Sequence, residues 1–580
     1  MSVRGTILFR SAFPAGMDAG YYPVQARALL EHAELEWTDV PLIFALDAAL
    51  AKCAMVLAGW DIDSATLWAS RVVDTAAEPF AAIAIFFAAW IFSRGARSAI
   101  VGAIAATSIA ICSPPLIRMI GDFEKQSLAM MFMCATFVAT CCALRNFGAS
   151  RHQTWRWIIA GGFLALTALS HAGTFAATAL GVGILFAIWA MRGGIARGRG
   201  LRVIGCFLLA SIVTFAAVWW LAPRKAIAIM DAPAKLFSGE DRGPGGERGP
   251  RGERGPGGDR GPSGERGPGG PGGIPSEIVL NLQSWMIVLA VGSAILFFVT
   301  RSLRRVGESL RTQARADEAF AFAMFFTALA LCCPWVTGEY RMRLALMVPI
   351  PLSLVVAFVL TRKSQEIEKP RIAFIGMITS AVISVAMCVA VVTPVIRDIG
   401  APGMVQIDEA AINQLRAWRT ELGSDQRTII VARHGLEFWA GFAMGTKSRQ
   451  TTLRESDFDT YEHLYLLMEQ GGRGGPGGPG GRGEPDGRGG MRDDRGPPQQ
   501  MGGNTGRPDS RRQREFREEI QFDEQRAGGL GPMNGPMNGP MNGPMRGMRI
   551  PHGATIIRKS DRFTLWEVPK SARESYSDQE

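Results

Sequence analysis

Residues Trp157–Met191 read WIIAGGFLALTALSHAGTFAATALGVGILFAIWAM, a run with no Asp, Glu, Lys or Arg, closed by Arg156 before it and Arg192 after it. As a single helix it would measure roughly 52 Å at about 1.5 Å per residue, well beyond the roughly 30 Å hydrocarbon core of a bilayer. Arginine at both ends puts both ends on the same side of a membrane. The run therefore crosses twice, and Ser170-His171-Ala172-Gly173 is where it turns.

Working outward, apolar runs at 76–93, 98–113, 127–144, 203–221, 277–300, 319–336, 344–361 and 372–396 join the two halves at 157–171 and 172–191, giving about ten crossings. Several are shorter than a span of ~20 residues, which fits helices packed inside a bundle. Alternate linkers carry Arg94 and Arg97, Arg145 to Arg156, Arg192 to Arg202, Arg301 to Arg305, and Arg362 to Arg371. These linkers are expected on the cytoplasmic side. The net charge of +10 sits largely there, so it does not point to a nucleic-acid partner. The 580 residues are 48% hydrophobic overall only because two Gly-rich tracts dilute the apolar runs.

The same parity sends Asp18, Asp122, Lys125, His171, Glu339, Arg341 and Arg343 to the opposite, outer face. Outer loops carry charge in any membrane protein, which accounts for part of this convergence. The segment 41–60 is apolar but holds Asp47 and Lys52, and reads as a pair of interfacial or membrane-embedded helices. Counting it as a span would strand the Arg linkers outside. The cysteines lie in or beside apolar runs, and Cys141-Cys142 and Cys332-Cys333 lack Cys-x-x-Cys spacing. They read as small packing residues, and the scattered histidines give no zinc motif.

From Gly243 to Pro275 glycine falls at every third position, the collagen pattern. A rod tethered at both ends to neighbouring membrane helices cannot return to its origin, so a disordered loop is favoured over a trimeric stalk. A second biased tract, 471–553, is too poor in bulky apolar residues to build a core. On either side of it, residues 410–422 read as a helix, 428–432 as a strand, 462–468 as helix or strand, and 555–558 with 563–568 as a hairpin around Ser560-Asp561. The expected fold is mainly α: a polytopic helical bundle at 76–396, preceded by a first extracytoplasmic loop at 1–75, and followed by a small α/β domain at 397–580 with disordered Gly-rich inserts. Arg433-His434-Gly435 reads as a strand-to-helix turn or as a site within that domain.

Ahead of the spans stands Gly16-Met17-Asp18-Ala19-Gly20-Tyr21-Tyr22. Asp18 has two readings: a cap for a helix starting near Tyr22, or a carboxylate held at the mouth of the bundle for function. Asp18-Ala19-Gly20-Tyr21-Tyr22, Ala26 to His32, Pro41-Leu42, Ser70-Arg71-Val72-Val73 and Arg118 to Lys125 together resemble the GT-C superfamily of membrane glycosyltransferases, which use sugars carried on polyprenyl phosphates. The resemblance covers roughly residues 10–400 as a pattern. It implies an enzyme moving a sugar from a polyprenyl-phosphate donor to an acceptor at the extracytoplasmic face of a bacterial inner or plasma membrane. Within it, Asp18 matches the first-loop acid that deprotonates or orients the acceptor. Asp122 matches the second-loop acid, which shares that work or binds a divalent cation such as Mg2+ or Mn2+.

Lys125, Arg341 and Arg343 are candidates for holding the lipid phosphate, or for anchoring to headgroups. His171 and Glu339 belong to the same candidate set, with His171 either lining the cavity or satisfied within its helix turn. The family's first transmembrane helix has no counterpart in Met1–Gly16, so a late start or a diverged relative is expected. The alternative is a non-enzymatic transporter or a scaffold displaying collagen-like loops.

Overall fold

The computed structural model describes most of residues 2–93, 103–145, 153–191, 311–333, 338–366, 407–422, 427–470 and 550–573, with a short stretch at 211–220. The spans expected at 277–300 and 372–396, much of those at 98–113 and 203–221, both biased tracts and Asp122 lie wholly or largely outside the described residues.

Helix α1 (Ser2–Leu8) and α2 (Tyr21–His32) lead into α3 (Leu42–Ala58) and the long α4 (Ile62–Ser93). The segment expected as a helix pair is one helix, α3. Its buried stripe of Ile43, Phe44, Asp47, Ala48, Ala51 and Ala54 recurs every three or four residues without interruption. The chain reverses after it at Gly59, whose φ of +67° is left-handed and whose N–H donates to the Met55 carbonyl. Helix α4 starts at Ile62 rather than at 76. Ala65, Ala69, Val73, Ala77, Ala81 and Ile85 form one buried stripe at four-residue spacing that runs straight through the polar stretch of Ser70, Arg71 and Asp74. Mean apolarity locates the membrane portion; periodicity locates the helix.

A short helix α5 (Pro114–Ile117) precedes α6 (Glu124–Arg145), α7 (Gln153–Ser170) and α8 (Ala172–Met191). The turn falls at His171, where the sequence places it. Phe132 of α6 stacks on Phe163 of α7, and Trp157 of α7 meets Phe186 of α8, so the three helices alternate in direction. Helix α9 (Arg311–Leu331) packs on α4, α6 and α8, while α10 (Gly338–Met347) and α11 (Pro349–Glu366) complete the described bundle. The span expected as one helix at 344–361 breaks at Val348, because the residue before Pro349 is steered away from helical backbone. Among the described residues three helices are long and apolar enough to cross a membrane: Ile62–Phe92, Glu124–Arg145 and Ala172–Met191. At the far end of α6, Arg145 is buried against Asp317 of α9 at 3.2 Å, so this basic residue closes the bundle from within.

The terminal domain begins with α12 (Glu409–Leu422). Strand β1 (Thr428–Ala432), α13 (Leu436–Met444), β2 (Lys447–Gln450), α14 (Glu455–Thr460), β3 (His463–Glu469), β4 (Thr555–Lys559) and β5 (Phe563–Glu567) follow. The sheet order is β2-β1-β3-β5-β4, with β1 parallel to β2 and β3, and β5 antiparallel to both β3 and β4. Its core takes in Phe13, Ala19 and Val24 from the chain's beginning, so the domain is seated on the loop that carries Asp18. Asp63 fastens the joint from the bundle side, accepting from Arg27 at 3.0 Å and from Arg416 at 2.9 Å.

Candidate active site at the loop and terminal-domain junction

Asp18 sits in the turn that opens α2, where its backbone carbonyl accepts from the Tyr21 N–H at 2.9 Å. Gly20 occupies the N-cap position with no side-chain cap. The Asp18 carboxylate faces the terminal domain instead: its Oδ1 lies 3.4 Å from His434 Nε2, with side chains 38% and 41% exposed respectively. His434 Nδ1 in turn pairs with Glu437 Oε1 at 3.0 Å, and Glu437 is only 3% exposed. Burial raises the Glu437 carboxyl above the usual carboxylate range, and the His434 contact pulls it part of the way back.

The backbone explains how this closeness arises. Arg433-His434-Gly435 turns from the central strand β1 into α13, with Gly435 at φ +88°, a conformation that glycine adopts without a Cβ clash. His434 and Glu437, three residues apart, therefore meet on one side of the first helical turn. Across the junction, a Cβ built on Gly20 would lie 2.9 Å from the Trp439 ring. The glycine of Asp18-Ala19-Gly20 is thus what lets α13 approach the loop.

Beside this pair lies a second one. Lys125 Nζ, at the first turn of α6, is 2.5 Å from Asp39 Oδ2, which also accepts from the Tyr21 hydroxyl at 2.7 Å; Asp39 Oδ1 accepts from the Val40 N–H at 2.8 Å. The Lys125 ammonium stands over the Tyr21 ring at 4.9 Å and the Phe44 ring at 5.9 Å. Burial, then the Asp39 charge, pushes the Tyr21 phenol well above its ordinary value. Tyr22, fully enclosed, is raised in the same way by burial and then by the Glu124 charge.

The other sequence candidates distribute as follows. Arg343 lies at the same end of the bundle: its carbonyl accepts from Gln126 at 2.9 Å and its guanidinium stands 5.8 Å from the Phe123 ring. His171 is also at that end, since α7 runs antiparallel to α6. Its Nδ1 accepts from the Thr174 N–H at 3.1 Å and meets the Thr174 hydroxyl at 2.9 Å, so it caps α8. Glu339 and Arg341 lie on α10, and their side chains, like Asp122, are outside the described residues.

Sequence reasoning overlooked a buried layer under the loop. Asp74 pairs with Arg4 at 2.5 Å and accepts from the Gly121 N–H at 2.8 Å, while Glu124 accepts from Ser70 at 2.6 Å. Asp47 is fully buried nearby, with no hydrogen bond to either oxygen among the described residues. The signal available in the sequence was acids at helical spacing on otherwise apolar stripes. Among the described residues no three His, Cys, Asp or Glu side chains form a group that could hold a metal ion.

No protein-family model matches the chain, and comparison with curated protein sequences finds no match. The fold does have solved counterparts. ArnT from Cupriavidus metallidurans, solved bound to undecaprenyl phosphate, superposes with a TM-score of 0.50 at 9% identity, over 98% of this chain and 97% of that one. An oligosaccharyltransferase from Archaeoglobus fulgidus superposes with a TM-score of 0.48 at 11% identity, over 81% of this chain and 68% of that one. A helical bundle followed by a small sheet domain, overlapping ArnT along nearly the whole length of both chains, shows that this chain shares the fold of ArnT.

Proposed function

We propose that this protein transfers a sugar from a polyprenyl-phosphate donor to an acceptor at the extracytoplasmic side of a bacterial membrane, with Asp18 as the general base. The observation that carries this reading is the placement of Asp18: a half-exposed carboxylate at the junction of bundle and terminal domain, at the bundle end where Lys125 and Arg343 also lie. A carboxylate open to solvent on one side and held against protein on the other is placed to take a proton from an incoming hydroxyl or amine. The acceptor atom then attacks the anomeric carbon, the bond to phosphate breaks, and the electron pair leaves with the lipid phosphate. Arg343 has the planar donors suited to phosphate oxygens. Lys125 is engaged with Asp39, which offsets much of its charge, so it contributes less to holding the phosphate than a free ammonium would. Asp122, as second acid, would share the work of Asp18 or bind a divalent cation.

The test is transfer from labelled polyprenyl-phosphate sugars by membranes containing the protein, with Asp18→Asn and Asp122→Asn beside the wild type. Loss of transfer with retained expression supports the assignment. Undiminished transfer in both variants sinks it. A separate arm compares transfer after EDTA treatment and after Mg2+ or Mn2+ is restored.

A further inference from the structure

Nothing in the reading of Asp18 as a base requires the terminal domain, yet that domain brings an imidazole to the carboxylate and a buried acid to the imidazole. We propose that His434, oriented by Glu437, is a positioning residue for Asp18, receiving the proton that Asp18 takes from the acceptor, so that transfer requires the terminal domain to be docked. This inference rests on the assignment of Asp18 as the base and deepens it.

The chemistry follows from the three side chains. An ionised Glu437 carboxylate only accepts hydrogen bonds, so it takes the Nδ1 proton of a neutral imidazole and leaves the Nε2 lone pair facing Asp18. When the acceptor's O–H or N–H bond breaks, the proton goes to Asp18 and neutralises it. It then passes to Nε2, Asp18 becomes a carboxylate again, and the imidazolium stands between two acids. The 41% exposed edge of His434 returns the proton to water, and no electrons are exchanged beyond those of the transfer itself.

The surroundings favour the cationic form while it lasts. The imidazole faces Asp18 from the first loop and Glu437 from its own helix. The guanidinium of Arg433 on the same turn is paired with Glu469 of β3 at 2.8 Å, and Lys125 across the junction with Asp39 at 2.5 Å. The ring edge of Phe438, 5.8 Å away and tilted by 76°, fixes the imidazole from the side. Glu437 is nearly sealed from water and its Oε2 makes no hydrogen bond among the described residues, so His434 is the partner that gives its burial a purpose.

Two readouts on the full chain in lipid nanodiscs test this. In 15N-histidine spectra, the resonance lost in His434→Gln identifies the group among the six histidines. Its titration midpoint is expected to fall by about one pH unit in Asp18→Asn and again in Glu437→Gln, as each removes a neighbouring negative charge. A midpoint unmoved in both variants overturns the inference whether or not sugar is transferred. In the pH dependence of kcat, His434→Gln and Glu437→Gln are each expected to lower the maximum by about tenfold and to move the acid limb to lower pH. A loss that is equal at every pH, with the limb unmoved, marks a merely structural contact and overturns the inference while Asp18 keeps its role. Absence of transfer by the wild type from every donor overturns the functional reading, and the inference with it.

Discussion

Two acid–base pairs stand side by side at the mouth of this bundle, and they are built oppositely. Asp39 is 3% exposed and takes hydrogen bonds from an ammonium, a phenol and a backbone amide, while its partner Lys125 lies against two aromatic rings. Asp18 is 38% exposed and meets an imidazole at 3.4 Å, outside ideal hydrogen-bond length. The first pair is closed, with each oxygen of the acid engaged by donors from the surrounding fold. The second is partly exposed to solvent, and its acid and imidazole meet at a longer distance. With Asp18 as the proposed base, stability and reactivity would be divided between two carboxylates of the same loop region, and their environments would decide which acid does which.

The sharpest way to break that comparison is to neutralise each acid in turn. Asp18→Asn is expected to lower kcat by about 10²- to 10⁴-fold while leaving the thermal midpoint close to wild type, because a half-exposed carboxylate contributes little to folding. Sugar transfer and thermal unfolding measured on the same detergent-solubilised samples decide it, and a large fall in the midpoint would recast Asp18 as structural. Asp39→Ala should do the reverse. It leaves Lys125 and the Tyr21 hydroxyl without their acid, and removing one partner of a buried pair costs about 3 kcal/mol. An unfolding curve indistinguishable from wild type would show that the closed pair is dispensable.

That division was only partly legible in the sequence. The division of Trp157–Met191 into two helices, the turn at His171 and the hairpin around Ser560-Asp561 could be read directly, because each rests on a local rule of length, charge or turn chemistry. The start of α4 at Ile62 was hidden because apolar averages fall where Ser70, Arg71 and Asp74 enter the helix. The strand-to-helix turn at Arg433-His434-Gly435 anticipated a helix, but the extent of α13 was not legible because it is nearly all apolar, and strand β2 passed unnoticed because Lys447–Gln450 has no hydrophobic alternation. Asp18 and the Arg433-His434-Gly435 turn each drew notice separately. Their pairing joins residues more than 400 positions apart, and no local periodicity carries such a contact.

The glycine at the junction sharpens the comparison from the side of packing. Gly20→Ala sets a methyl group 2.9 Å from the Trp439 ring, and Trp439 is fully buried with Phe13 edge-on to it at 5.3 Å. The ring has no easy retreat, so overpacking is expected to cost about 1 to 3 kcal/mol. Because the added methyl acts between the loop and α13, it should widen the Asp18–His434 gap and leave Lys125–Asp39 in place. Activity should then fall further than stability does. Equal effects on both, or none on transfer, would separate the terminal domain from the chemistry.

The smallest expected effect concerns Glu437, and its sign is informative. Its folded-state pKa lies above the ordinary carboxylate value of 4.5 because burial disfavours the charge, with His434 opposing that shift. A carboxyl raised on folding contributes stability that is fully present below its unfolded pKa and is lost as pH rises through the folded one. Relative to wild type, Glu437→Gln should therefore gain stability as pH climbs from about 4.5 towards neutrality, the two thermal midpoints converging in acid. At neutral pH the variant is expected to be the more stable protein and the slower enzyme. That opposition is what a buried acid kept for function should show, and thermal midpoints for both proteins between pH 4 and pH 8 measure it. A variant less stable at neutral pH than in acid, relative to wild type, would mean that Glu437 is retained for folding and that the open pair leans on a structural contact.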